Sequence, residues 1–263
     1  MRSIENLINT LPSHASIINN QRSLVEISYK AVQPSGQLTN PIQLVIRQER
    51  LNCITISEAP KHHTLPRACV ERHINKNSTF CLHLDSQNPV QEHFEAINWW
   101  AGLNAFINHQ NYAEKHHKWP MNAQLSHGDA ANVQIAMETA GEPLGWKDEI
   151  TQAIFRDQGW LSGQLTRASK DHTTLVNAKT PCPRGCTLKH PPLSKQSCMR
   201  SECKPDCTKR HNQILRANCP NKDAIEKIVL LEHIRRELET AYLDKLVKDG
   251  VTCCGTMDNC PLK

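Results

Sequence analysis

The chain has 263 residues, enough for one large domain or two small ones, with a net charge of +5 and only 5% aromatic residues. A mean hydropathy of -0.55 and the absence of any apolar run near the roughly 20 residues needed to cross a bilayer argue against a membrane protein. The opening Met1-Arg2-Ser3-Ile4-Glu5-Asn6 has one basic residue and no apolar stretch of the kind an export signal needs, so the expected setting is the cytoplasm.

In chain order, Ile4, Leu7, Ile8 and Leu11 lie on one stripe and predict a short amphipathic helix from Ser3 to Leu11. Three strands are expected next. Leu24 to Tyr29 alternates apolar and polar residues, while Ile42 to Ile46 and Cys53 to Ile56 are rich in β-branched residues and bounded by Asn40, Pro41 and Asn52. The gaps between them suit an antiparallel meander. From Glu58 to Phe80 the periodicity fades, and long irregular stretches inside compact domains usually carry function or are disordered. Helical spacing returns at Val90, Phe94, Ile97, Trp100, Leu103 and Phe106, with Pro89 in the first turn. Ser126 is read as the cap of a further helix through Val133 and Met137 that stops near Gly141 and Pro143, and a short closing helix is expected between Gly145 and Trp160. The Thr-, Pro- and Lys-rich run from Thr173 to Pro192 is taken as a domain boundary, dividing residues 1–172 from 173–263. A strong amphipathic helix is expected over Asp223–Lys248, with Ile225, Ile228, Val229, Ile234, Leu238, Leu243 and Leu246 as its stripe and Gly250 ending it.

Cysteine placement repeats the division. Cys53, Cys69 and Cys81 stand alone in the first half, and the other nine of the twelve follow from Cys182. In a reducing compartment, clustered thiols favour metal binding or catalysis over disulfides. Cys182, Cys186, Cys198 and Cys203 are the expected ligands of a structural zinc ion, with Cys207 and Cys219 as substitutes or parts of a second site and His190 and His211 nearby. Cys253, Cys254 and Cys260 either join that site or are modifiable tail thiols; the sequence leaves both open. His62-His63 and His116-His117 lack a third ligand at useful spacing and are read as solvated surface. Between Lys179 and Arg216, nine basic residues face two acidic ones, a local charge of +7 that suits an acidic protein surface or nucleic acid, or simply keeps a small module soluble.

The irregular stretch gathers His73, Asn75, Cys69 and Cys81. A cysteine that accepts an acyl group needs access, a backbone that presents its sulfur, and a donor aimed at the oxyanion formed on attack. The side-chain amide of Asn75, six residues before Cys81, is such a donor. Cys69 competes as nucleophile, being four residues from His73, but it lacks the Cys-Leu context of Cys81-Leu82.

His73-Ile74-Asn75 followed by Phe80-Cys81-Leu82 resembles the His-Pro-Asn…Cys-Leu signature of ubiquitin-conjugating enzymes, and is more similar to that of their bacterial relatives found in CBASS-type antiviral operons. Asn98-Trp99-Trp100, Trp119-Pro120 and Leu125-Ser126-His127-Gly128 resemble the same group, over roughly residues 20 to 145. Ile74 stands in place of the proline, and Ser78-Thr79 where a glycine is usual. The resemblance implies an α+β, ubiquitin-conjugating-enzyme-like fold (N-terminal helix, antiparallel meander, C-terminal helices) with a small cysteine-rich, metal-binding helical appendage. It also implies thioester formation on Cys81, oxyanion or loop stabilisation by Asn75, and a loop-holding role for His73. The implied partner is a ubiquitin-like protein or a cGAS/DncV-like nucleotidyltransferase, with or without a separate activating enzyme, and neither membrane nor nucleic acid. The rival expectation is a catalytically inactive scaffold of the same fold that binds protein or nucleic acid through its basic cysteine-rich module.

Overall fold

The computed structural model describes residues 2–49, 53–82, 90–163, 165–176, 219–258 and 260–263. It divides into two compact units, Met1–Ala123 with Leu243–Lys263, and Gln124–Tyr242.

The first unit begins with α1 (Arg2–Asn9) and a four-stranded antiparallel sheet of β1 (Ala15–Gln21), β2 (Leu24–Tyr29), β3 (Ile42–Gln48) and β4 (Ile54–Glu58), in sequence order across the sheet. Alternation along β2 sends Val25, Ile27 and Tyr29 to one buried face. Register continues that face across the sheet, with Val25 opposite Ile46, Ile27 opposite Leu44, and Ile46 opposite Ile56. Ile4 and Leu7 of α1 join it, as do Trp99, Trp100, Leu103 and Phe106 of α2 (His93–His116). Burial of this apolar surface is the main force holding the unit together. Polar groups caught in it are paired: the Trp100 indole N–H donates to Leu7 O and Thr10 Oγ1, both at 3.1 Å, and the Tyr29 hydroxyl donates to Asn104 Oδ1 at 3.3 Å.

β1 is absent from the sequence reading for a physical reason. It pairs with β2 at the sheet edge through a bulge between Ile17 and Asn19, and all but its first residue are exposed, so no inward alternation marks it. The helix read from Val90 to Phe106 runs ten residues further than its apolar spacing, to His116, where His117 turns left-handed (φ 53°) and donates its N–H to Ala113 O. At its start Glu95 Oε2 accepts the N–H groups of Gln91 and Glu92 at 2.7 and 2.9 Å. Pro89, the expected first-turn residue, lies outside the described residues.

The second unit holds α3 (Ala130–Gly141), α4 (Lys147–Arg156) and most of α5 (Lys222–Lys248). Met137, Trp146, Ile150, Leu161, Cys219, Ile225, Ile228 and Val229 form its apolar cluster. Ser126 is not the cap of α3; Asp129 holds that position, and the Ser126 N–H instead donates to Gln134 Oε1 at 2.8 Å. The stripe expected along α5 is fully buried only at Ile225, Ile228 and Val229; Ile234, Leu238, Leu243 and Leu246 are partly exposed. The next buried positions are Glu232 and Arg235, which bond to each other at 2.6 and 2.9 Å. Arg235 also donates to Ser126 Oγ at 3.0 Å and to Glu239, so these charges are compensated rather than solvated. No described helix is long and apolar enough to cross a membrane.

Candidate active site

The stretch after β4 is an ordered, folded-back hairpin. Glu58 gathers its first turn, accepting the N–H groups of Thr64 and Leu65 at 2.7 and 3.0 Å. Cys69 and Ile74 then exchange backbone hydrogen bonds (3.0 and 2.9 Å) around a single 3-10 turn over Val70–Arg72, closed by His73 in the left-handed conformation (φ 53°). From Ile74 the chain reverses again. Asn75 N donates to Thr79 O and Ser78 N to Asn75 O, both at 2.8 Å, and Phe80 N reaches Ile56 O of β4 at 2.8 Å. Ser78 takes a left-handed conformation (φ 64°), which costs an L-residue on the order of 1 kcal/mol.

This geometry determines where Cys81 stands. Phe80 is buried and stacks on Phe106, ring centroids 4.7 Å apart, so strand alternation directs the neighbouring Cys81 away from that contact. The Cys81 N–H donates to His73 O at 2.9 Å, which joins two of the expected site residues through backbone. Cys81 is half-buried, and burial raises its thiol above the usual 9.0. Asn75 is exposed four residues before Thr79, and its amide donates to Thr79 Oγ1 at 3.0 Å; that hydroxyl lies 2.7 Å from Asn77 Oδ1. The amide is thereby held in one orientation by the turn. The ring of His73 lies 5.0 Å from that of Trp119, among aromatic side chains under the loop.

Cys69 is in a different environment. It is 3% exposed, and burial first, with Cys254 beside it second, drives its thiol far up. A sulfur so placed is shielded from solvent, and burial disfavours its thiolate.

The sequence reading passed over the anchor beneath the loop. Arg72 is 1% exposed, yet its guanidinium is fully engaged: Nε to Gln110 Oε1 at 2.7 Å, NH2 to Gln110 O at 3.3 Å, and NH1 to Glu114 Oε2 at 2.9 Å. Gln110 returns a bond from Nε2 to Arg72 O at 2.7 Å. These contacts clamp the residue before His73 to α2. No motif signals such a pairing, because its partners lie 38 and 42 positions apart.

Of the six expected metal ligands, Cys182, Cys186, Cys198, Cys203 and Cys207 lie outside the described residues, as do His190 and His211. Cys219 is a thiol buried in the apolar cluster of the second unit. Among the described residues, no three His, Cys, Asp or Glu side chains converge as a ready-made metal site. His117, of the pair read as surface, has its Nδ1 3.0 Å from Thr256 O.

Comparison with curated proteins and with solved structures gives no match. Two family matches cover most of the chain. Residues 13–121, which hold the sheet, the loop with Cys81 and α2, match the prokaryotic E2 domain. Residues 192–262 match the cysteine-rich domain found C-terminal to the E2 domain. A domain that carries Cys81 and belongs to the prokaryotic E2 family is thus followed in this chain by the cysteine-rich domain that stands C-terminal to E2 domains.

Proposed function

We propose that this chain is a ubiquitin-conjugating-type transferase that accepts the C-terminal carboxyl of a partner protein as a thioester on Cys81 and passes it to an amine. The observation that carries this reading is the position of Cys81: its backbone is pinned to His73, and it follows a turn that orients the Asn75 amide. In the loading step the Cys81 sulfur attacks the partner's activated carbonyl carbon, loses its proton to solvent, and the previous leaving group departs. In the second step a substrate amine attacks the same carbon, Cys81 leaves as the thiol, and an amide remains. Both steps pass through an oxyanion, and the Asn75 amide is the donor assigned to it. His73 acts through the loop it shapes. Exchange between thiols is nearly energy-neutral and needs positioning more than a strong base, which suits a sulfur that burial keeps protonated near neutral pH.

The resemblance of the motif supports a ubiquitin-like protein or a cGAS-like nucleotidyltransferase as the carried partner, in bacterial antiviral defence, and a structural zinc ion in the cysteine-rich region. The test is to express the full chain with each partner candidate and its activating enzyme. Wild type is expected to give an adduct that thiols remove, Cys81→Ser an ester that thiols leave intact, and Cys81→Ala none. An adduct on Cys81→Ala equal to that on wild type would overturn the reading.

A further inference from the structure

The turn that carries Asn75 is tied to the rest of the first unit at both ends. At the Thr79 end the tie is to the sheet: Thr79 bridges to Ser57 of β4, and Phe80 N donates to Ile56 O at 2.8 Å. At the other end it is Lys76, whose Nζ donates to Asp249 O at 2.7 Å across 173 positions of sequence. Among the described residues, this is the one hydrogen bond that leaves residues 75–78 for a group outside the hairpin. Asn75, Lys76 and Asn77 are exposed, so burial does not hold them, and Ser78 is left-handed (φ 64°).

The acceptor is suited to hold a cation. Asp249 follows the last residue of α5, and Gly250 turns left-handed there (φ 77°). Gly250 N donates to Val247 O at 3.0 Å and Val251 N to Leu246 O at 2.9 Å, which satisfies two of the carbonyls that a helix leaves open at its end. The Asp249 carbonyl takes the Lys76 ammonium, and positive charge is favoured at this end of a helix. The segment that follows is itself anchored. Asp258 N donates to His117 O at 2.9 Å, His117 Nδ1 donates to Thr256 O at 3.0 Å, and Met257 and Cys260 are buried in the apolar cluster that holds Ile74 and Phe80.

We propose that Lys76 is a positioning residue for acyl transfer on Cys81, latching the turn that carries Asn75 to the C-terminal segment. The proposal rests on the assignment of Cys81 as nucleophile and Asn75 as oxyanion donor. Lys76 touches no reacting atom and acts through Asn75. With both ends of the turn held, the amide keeps one place as the oxyanion forms, and the turn does not have to be ordered during the reaction. The match to the cysteine-rich domain runs to residue 262, so the last residues of that domain become part of the transfer site. A displacement of the segment after α5 is then felt at Asn75.

The full chain is charged by exchange with a thioester of acetyl-glycyl-glycine and mercaptoethanesulfonate, and loss of the acyl group from the Cys81 peptide to free lysine is followed by mass. At saturating lysine, Lys76→Met is expected to discharge about twofold to fivefold more slowly than wild type. The half-saturating lysine concentration is expected to stay unchanged, and Lys76→Arg to match wild type. In an Asn75→Ala background Lys76→Met is expected to add nothing, as two residues acting on one interaction require. Alkylation of Cys81 by iodoacetamide forms no oxyanion and is expected to be equal in all variants. Amide hydrogen exchange reads the latch without the chemistry: Asn75 and Ser78 are expected to exchange faster in Lys76→Met, and Cys69 and Ile74 to stay as in wild type. Equal discharge by Lys76→Met and wild type, the same slowing with and without Asn75, or a change in half-saturating lysine alone would overturn the proposal. A Cys81 that takes no acyl group, while exchange at Asn75 quickens in Lys76→Met, would leave the latch standing and overturn the reaction assigned to Cys81. Unchanged exchange at Asn75 and Ser78 rules out the latch whatever Cys81 does.

Discussion

In the proposed reaction the Cys81 thiol works by placement rather than by acidity. Burial holds its pKa above 9.0, and the thiolate is therefore a small fraction of the thiol at neutral pH. Alkylation of Cys81 by iodoacetamide, followed by peptide mass, is expected to climb about tenfold per pH unit from 7 to 9 and to keep climbing beyond 9; a plateau below pH 8 would mean an activated thiolate of the cysteine-protease kind. Asn75 is the complementary case, a side chain whose charge does not change with pH and whose orientation is set by Thr79. The sequence singled out these two residues by their short spacing, and the proposed reading assigns them the roles of nucleophile and donor. Thr79 and Asn77 were not read as their support, since hydroxyl and amide side chains in a polar stretch look alike until the turn brings them together. Ser78-Thr79 was read only as standing where a glycine is usual, and of the two it is Ser78 whose backbone is left-handed.

At the scale of elements, α2 serves as both wall of the core and floor of the loop that carries Cys81. One face buries Trp99, Trp100, Leu103 and Phe106 against the sheet, and a turn further on Gln110 and Glu114 hold Arg72. The two partners of Arg72 differ in burial, and that decides their worth. Gln110→Ala leaves a buried guanidinium N–H and the Arg72 carbonyl without partners, and is expected to cost about 2–3 kcal/mol in urea unfolding. Glu114→Ala removes a carboxylate whose side chain is 69% exposed, and is expected to cost less than about 1 kcal/mol. Equal costs would mean that Arg72 is held by charge rather than by the buried amide. Strands β2, β3 and β4 were legible because each puts one face into the core, and alternation or β-branching records it. β1 was not, because an edge strand exposed on both faces writes no such pattern. The end of α2 was missed likewise: Asn108 to His116 is polar apart from Tyr112 and Ala113, and the helix persists there through capping and the Arg72 clamp rather than an apolar stripe. Buried Glu232 and Arg235 explain why the stripe of α5 departs from expectation.

For the molecule as a whole, sequence order carried the fold class: a helix, a meander, a cysteine loop and further helices, then thiols. What sequence order does not carry is which cluster each thiol packs in. Cys69 and Cys254 lie far apart along the chain, yet Cys69 is buried in the apolar cluster of the first unit and Cys254 packs against it, while Cys219 packs among apolar side chains of the second unit. The family membership gives a conjugating-type domain with a cysteine-rich region, and the central claim is that its chemistry runs through Cys81. The most direct test is the intact mass of the wild-type full chain after incubation with its activated partner, followed by hydroxylamine treatment and peptide mapping. The account predicts one partner chain per molecule, released by neutral hydroxylamine and mapped to Cys81. A hydroxylamine-stable bond, or an adduct mapped to any other residue while Cys81 remains alkylatable, would contradict it.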